Sequence, residues 1–144
     1  MERLRALRLI AGAATPLLIR TAVQAADAPR IVFGGPLPDL PAPVRALDAP
    51  PAIAAIWFSR ADYRWGDLAR VALITTTNAA IVEMRVVSYG RALTKKALGR
   101  FDGVYRVPFL PPLLDRFRYA LPFRFIVRNP AGASSSFELT VRVN

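Results

Sequence analysis

From Phe117 to Arg128 the chain alternates. Phe117, Tyr119, Leu121, Phe123, Phe125 and Val127 are apolar, while Arg118, Arg124 and Arg128 fall between them. A repeat of two sends successive side chains to opposite faces of a strand, so this run predicts one face built for a core and one for water. The last run repeats the pattern, with Phe137, Leu139, Val141 and Val143 set against Ser136, Glu138, Thr140 and Arg142. Between the two lies Asn129-Pro130-Ala131-Gly132, a tight-turn signal that joins neighbouring antiparallel strands. Upstream, Val71, Leu73 and Thr75 alternate with Arg70, Ala72 and Ile74, and Val82, Met84 and Val86 with Glu83, Arg85 and Val87. These are two more predicted strands, joined through Thr76-Thr77-Asn78-Ala79. Further strands are predicted over 53–59, over 103–109 with Tyr105, Val107 and Phe109 on one side, and more weakly over 92–97. The polar stretch 59–67 separates two of them, with Gly66-Asp67 as its reversal. About seven strands, with turn residues every eight to twelve positions, predict an all-β antiparallel sandwich of two sheets. Helix has no place after residue 30.

The N-terminal third reads differently. Arg3, Arg5 and Arg8 precede an apolar stretch from Leu9 to Ile19, and Val23-Gln24-Ala25 ends it with a small residue. That order is the order of a secretory signal peptide, cleaved after Ala25. The apolar stretch is too short for a transmembrane span, which needs roughly 20 residues. An attached amphipathic helix is the alternative, since Leu4, Leu7 and Ile10 recur at helical spacing. From Gly34 to Pro51 six prolines, at 36, 38, 41, 43, 50 and 51, fix φ and remove donors. The stretch predicts an extended arm that acts as a spacer or as a clamp along the domain, and the Ile31-Val32-Phe33 before it suits a sheet edge. The expected organisation is therefore a signal peptide over 1–25, a Pro-rich linker over 26–52 and one sandwich domain over 53–144.

The stretch from Phe117 to Val143 resembles the end of fibronectin type III and bacterial Ig-like domains. It has an alternating strand closed by Val127-Arg128-Asn129, then Pro130-Ala131-Gly132-Ala133-Ser134, then an alternating final strand, with Leu110-Pro111-Pro112 as the approach. The resemblance implies a Greek-key β-sandwich and says nothing about a ligand. Leu121 stands where that family carries its corner tyrosine, and Val71 to Thr77 lacks the family's core Trp.

Composition narrows the chemistry. The 144 residues contain no Cys and no His, which removes thiol nucleophiles, disulfides, zinc–thiolate or zinc–imidazole sites and imidazole acid–base work. Most of the acids, among them Asp62, Asp67, Asp102 and Asp115, fall in predicted turns or linkers, where Asp bonds local backbone. A small carboxylate-dependent enzyme would need several of them to converge. Neither the Asp62 and Asp67 loop nor Thr94-Lys95-Lys96, Ser134-Ser135-Ser136 or Gly99-Arg100-Phe101-Asp102-Gly103 carries the spacing of a calcium, nucleophile or phosphate site. No catalytic residue, cofactor or metal is assigned.

Charge leaves one candidate surface. Of the 20 basic residues 18 are Arg, against 10 acids, a formal +10. Removing the predicted leader takes away four Arg and one Glu and leaves +7. Arg118, Arg124 and Arg128 share the water-facing side of one predicted strand, and Arg142 lies on the next, so the four form a candidate anion-binding face. The expected role is a non-catalytic exported module, periplasmic or extracellular, that binds a protein or cell-envelope partner. The alternative is an anionic lipid or polysaccharide ligand on the Arg face. Nucleic acid fits less well, because the aromatic side chains of these strands point to the core rather than to a stacking platform.

Overall fold

The computed structural model describes residues 28–108 and 120–144. The predicted leader lies outside the described residues, as do Phe109, Asp115, Phe117, Arg118 and Tyr119. The described residues hold ten strands and no helix: β1 Arg30–Phe33, β2 Ile53–Phe58, β3 Asp62–Tyr63, β4 Leu68–Thr75, β5 Ile81–Val86, β6 Tyr89–Ala92, β7 Thr94–Ala97, β8 Arg100–Arg106, β9 Ala120–Arg128 and β10 Ser134–Val143. They form two five-stranded sheets, β1-β2-β4-β8-β7 and β3-β10-β9-β5-β6, here called the first and second sheet. Among the described residues no helix is long and apolar enough to cross a membrane.

The period-2 runs put their apolar sides where the two sheets meet. On β9 Leu121, Phe123, Phe125 and Val127 are buried, on β5 Val82, Met84 and Val86, and on β10 Val141 and Val143 with Phe137 and Leu139 at the margin. The first sheet answers with Ile56, Phe58, Val71, Leu73, Phe101 and Tyr105. Phe123 is the hub. It meets Phe58 edge-on at 5.2 Å and Tyr105 edge-on at 5.6 Å between ring centroids, the geometry the ring quadrupoles favour. The Asn129 turn forms as expected: Asn129 Oδ1 accepts from Ala133 N–H at 2.8 Å, and Gly132 takes a φ of +95°, open to glycine at little cost.

Three features depart from the sequence expectation. Ten strands are present rather than about seven: the weak 92–97 piece is β7 preceded by the end of a separate β6 in the other sheet, the 59–67 turn contains the two-residue β3, and β1 forms at a sheet edge, the place that suits Ile31-Val32-Phe33. The sheets are mixed rather than purely antiparallel: β1 runs parallel to β2, and β3 parallel to β10. The strand expected over 103–109 begins earlier, at Arg100, where Phe101 already faces the core.

The Pro-rich stretch lies against the domain. A parallel β1 and β2 require the intervening chain to travel back along the sheet, and residues 34–52 do so across the outer face of the first sheet. Trp57 Nε1 donates to Gly35 O at 3.2 Å, Arg100 Nη2 to Leu40 O at 2.6 Å, and Thr77 N–H to Pro43 O at 2.9 Å. The far end docks on buried polar side chains. Asn78 Nδ2 donates to Ala46 O at 3.0 Å and Ala49 O at 2.6 Å, while Asn129 Nδ2 donates to Ala49 O at 2.8 Å. Thr76 Oγ1 accepts from Ala52 N–H and donates to Asn78 Oδ1. Proline carbonyls and their neighbours have no ladder partners of their own, so these side chains supply them. The stretch is a strap.

Candidate functional site

The outward positions of β9 and its neighbours are set by register. Arg124 lies opposite Arg85 on β5 and Glu138 on β10, Ile126 opposite Glu83 and Ser136, and Arg128 opposite Ile81 and Ser134. Arg142 sits further along, opposite Ala120 and beside Asp62 of β3. Arg124, Arg128 and Arg142 therefore share the outer face of the second sheet, and Arg118 lies outside the described residues. Carboxylates are interleaved among them. Glu83 Oε1 is 3.3 Å from Arg85 Nη2 and 3.7 Å from Arg128 Nη1, and Asp62 Oδ1 is 3.7 Å from Arg142 Nε. Arg124 makes no ion pair among the described residues. The face is a mixed-charge surface in which Arg85 and Arg124 stand side by side, and Ile126 is buried in its middle.

The acids do not gather. Asp62 and Asp67 border a polar hollow of about 340 Å³ at one end of the sandwich, lined also by Arg60, Tyr63, Arg64 and Asn144. Asp67 is held there as a turn residue, with Arg60 Nη1 at 2.8 Å and Arg64 N–H at 2.9 Å on the same oxygen. Asp102 is on β8, on the outer face of the other sheet. Among the described residues no three acids come together as a metal would require. Lys95, beside Thr94, lies over the Phe101 ring at 5.9 Å and donates to Ala79 O.

Two surfaces carry features that strand alternation alone does not reveal. The first is the lateral side where both sheets end: every residue of β6 and every residue of β7 is exposed, and the two strands follow one another in the chain through the buried Leu93. Leu93 packs above Gly103, where a Cβ would come within 2.6 Å of its Cδ2. Arg91, Lys95 and Lys96 lie along these edges. A strand edge with unpaired backbone groups is a template for a further strand, and cations on it decide which strands approach.

The second is a hollow of about 150 Å³ between the strap and the outer face of the first sheet. Its floor is Ala55, Ala72 and Ile74, its walls are Trp57 on one side and Leu37-Pro38 of the strap on the other, and Lys96, Arg100 and Asp102 stand at its charged side. Trp57 faces outward because its neighbours Ile56 and Phe58 take the core. The continuous apolar run Ile53–Phe58 is the signal for this, since a strand apolar on both faces is covered on both. Tyr105, on the inner face of the same sheet, has its phenol pKa raised by burial and then by the neighbouring Tyr89. No family model matches the chain, and no curated protein matches it in sequence.

Proposed function

We propose that the chain is a non-catalytic, exported interaction module of the Ig-like type that takes a protein or envelope partner along the β6–β7 side. The observation that carries the reading is the complete exposure of both strands at adjoining edges of the two sheets. The strand order supports the fold assignment. β2-β4-β8-β7 opposite β10-β9-β5-β6 is the order expected of the A-B-E-D and G-F-C-C′ sheets of an Ig-like Greek-key sandwich, with β1, β3 and the strap as additions. Arg91, Lys95 and Lys96 disfavour pairing with a second copy of so basic a chain and favour an acidic strand. Absence of His and Cys from the sequence is consistent with a role that involves no chemistry.

The test is photocrosslinking in intact cells with a photoreactive residue at position 91 or 96 and, as control, at Thr140 on the outer face of the second sheet. A discrete adduct from both edge positions and none from the control is expected; adducts absent from the edge, or equal at the control, overturn the reading. Export is tested separately by the mass of the mature chain, expected to begin at Ala26. A second reading, an anionic lipid or polysaccharide ligand on the Arg face, is favoured by the adjacent Arg85 and Arg124. It predicts heparin retention that falls steeply with salt and drops when both become Glu.

A further inference from the structure

The hollow under the strap holds charges of both signs that do not satisfy one another. Asp102 and Arg100 are two residues apart on β8 and share its outer face, so a carboxylate and a long guanidinium side chain lie on the same side of the strand. They do not pair here. Arg100 donates instead to Leu40 O on the strap, and Asp102 makes no ion pair or side-chain hydrogen bond among the described residues although it is half-buried. Lys96, the other cation of the hollow, likewise has no partner among them. Two β-bulges border the same row of residues. One falls between Ile53 and Ala55 in β2, the other between Lys95 and Ala97 in β7, and the row between them runs Ala55, Ile74, Arg100, Ala97. Alternation along β7 sends Lys95 over the Phe101 ring and Lys96 to the hollow, and the bulge then brings Ala97 opposite Arg100.

We infer that this hollow binds a small zwitterion with an apolar side chain, an α-amino acid of about the size of leucine. The ammonium goes to Asp102, the carboxylate to Lys96 and the free N–H groups of Arg100, and the hydrocarbon to the floor of Ala55, Ala72 and Ile74 beside the Trp57 indole. Size sets the class. A cavity of about 150 Å³ accepts a molecule of roughly benzene's bulk, enough for a branched aliphatic side chain and too little for a sugar ring with its hydroxyls or for a nucleotide. Charge sets the rest. A purely apolar guest would leave Asp102 and Lys96 without partners at its edge, and a simple carboxylate or amine would satisfy one sign only. The proposal does not rest on the edge-docking role: the two share only Lys96 of β7, and ligand binding is read at Trp57 on β2, away from the β6–β7 edge.

The test uses three ligands of matched hydrocarbon: L-leucine, 4-methylpentanoate, which lacks the ammonium, and 3-methylbutylamine, which lacks the carboxylate. The readout is the Trp57 indole N–H in ¹H–¹⁵N spectra of the unmodified chain, distinguished from Trp65 by Trp65→Phe. Leucine is expected to shift that signal saturably at about millimolar concentration, with each truncated ligand at least about tenfold weaker. Asp102→Asn is expected to bring leucine down to the level of 4-methylpentanoate, and Lys96→Gln to weaken leucine and 4-methylpentanoate while sparing the amine. No saturable shift of Trp57 up to about 50 mM leucine, or equal binding of all three ligands, overturns the proposal, both read on the unmodified chain with Trp65→Phe used only to assign the signal. Equal leucine affinity in Asp102→Asn with an unchanged spectrum elsewhere overturns it as well.

Discussion

Replacing Asn78 with Ala removes the side chain on which the strap's far end rests. Asn78 is buried, and its amide makes three hydrogen bonds: two donated to Ala46 O and Ala49 O, and one accepted from Thr76 Oγ1 at 2.6 Å. Their loss is not uniform. Ala49 O keeps the Asn129 amide at 2.8 Å, and Ala46 is exposed so that water reaches its carbonyl, but the Thr76 hydroxyl is left with a buried proton and no acceptor. With about 1–2 kcal/mol for the orphaned Thr76 hydroxyl and about 0.5 kcal/mol for each of the two carbonyls that keep another partner, Asn78→Ala costs about 2–3 kcal/mol, a large part of a total stability of about 5–15 kcal/mol. Urea denaturation followed by Trp fluorescence should show a lower midpoint with unchanged slope, and Tm should fall by about 10 °C. The strap gives a second readout. Arg45 lies within it, its N–H bonded to Thr77 Oγ1 at 3.1 Å, so trypsin should cut after Arg45 several-fold faster in the variant. Asn129→Ala added to Asn78→Ala should cost about 1 kcal/mol more than the sum of the two, because only the double variant orphans Ala49 O. A cost below about 1 kcal/mol, or unchanged cleavage at Arg45, would refute the claim that these side chains hold the strap.

Gly99 has φ +72° and lies where a Cβ would meet Ala42 Cβ at 2.5 Å and Thr75 O at 2.7 Å, so Gly99→Ala should lower stability by about 2–4 kcal/mol and displace the strap, while Gly132→Ala, at φ +95° but with open space, should cost only about 1 kcal/mol; urea midpoints compare the two. Val87 holds φ +56° in the β5–β6 turn, a left-handed conformation that a β-branched residue adopts at a cost, so Val87→Asn should raise stability by about 1 kcal/mol, seen as a higher urea midpoint. Tyr105 has a folded pKa above its ordinary 10.0, so burial favours the neutral phenol: its contribution is complete below pH 10 and is lost as pH rises through the folded value. Tm measured from pH 9 upward should fall less steeply in Tyr105→Phe than in the unaltered chain.

How much of this could be read from the chain follows from where alternation is strong. β9 and β10 announce themselves because each has one oily and one polar side, and Asn129 to Gly132 names the turn between them. β6 does not, and β7 shows only as the weak 92–97 piece, because every residue of Tyr89–Ala92 and Thr94–Ala97 is exposed and no period survives. β3 is too short to have a period at all. The six prolines predict an extended path, but docking depends on Asn78, Asn129 and Arg100, which are distant in sequence and meet the strap only when the sheets have formed. The Arg face shows the same limit in charge. Which side Arg124 and Arg128 occupy is legible within one strand, but Glu83 beside Arg128 and Arg85 beside Arg124 are matters of register between strands. Trp57 is the clearest case of a signal present but unassigned: Ile53–Phe58 is apolar on both faces, and the cover for its outer face is Leu37-Pro38 of the strap.

The central claim is that residues 34–52 are a strap built into the sandwich and that they roof a hollow on its first sheet. The most direct measurement is a ¹⁵N-edited NOE spectrum of the folded chain, read at the Trp57 indole N–H. Cross-peaks from that proton to Gly35 and to the Leu37 and Pro38 side chains are the predicted result; cross-peaks to solvent and β2 alone, with strap residues at random-coil shifts, would contradict it.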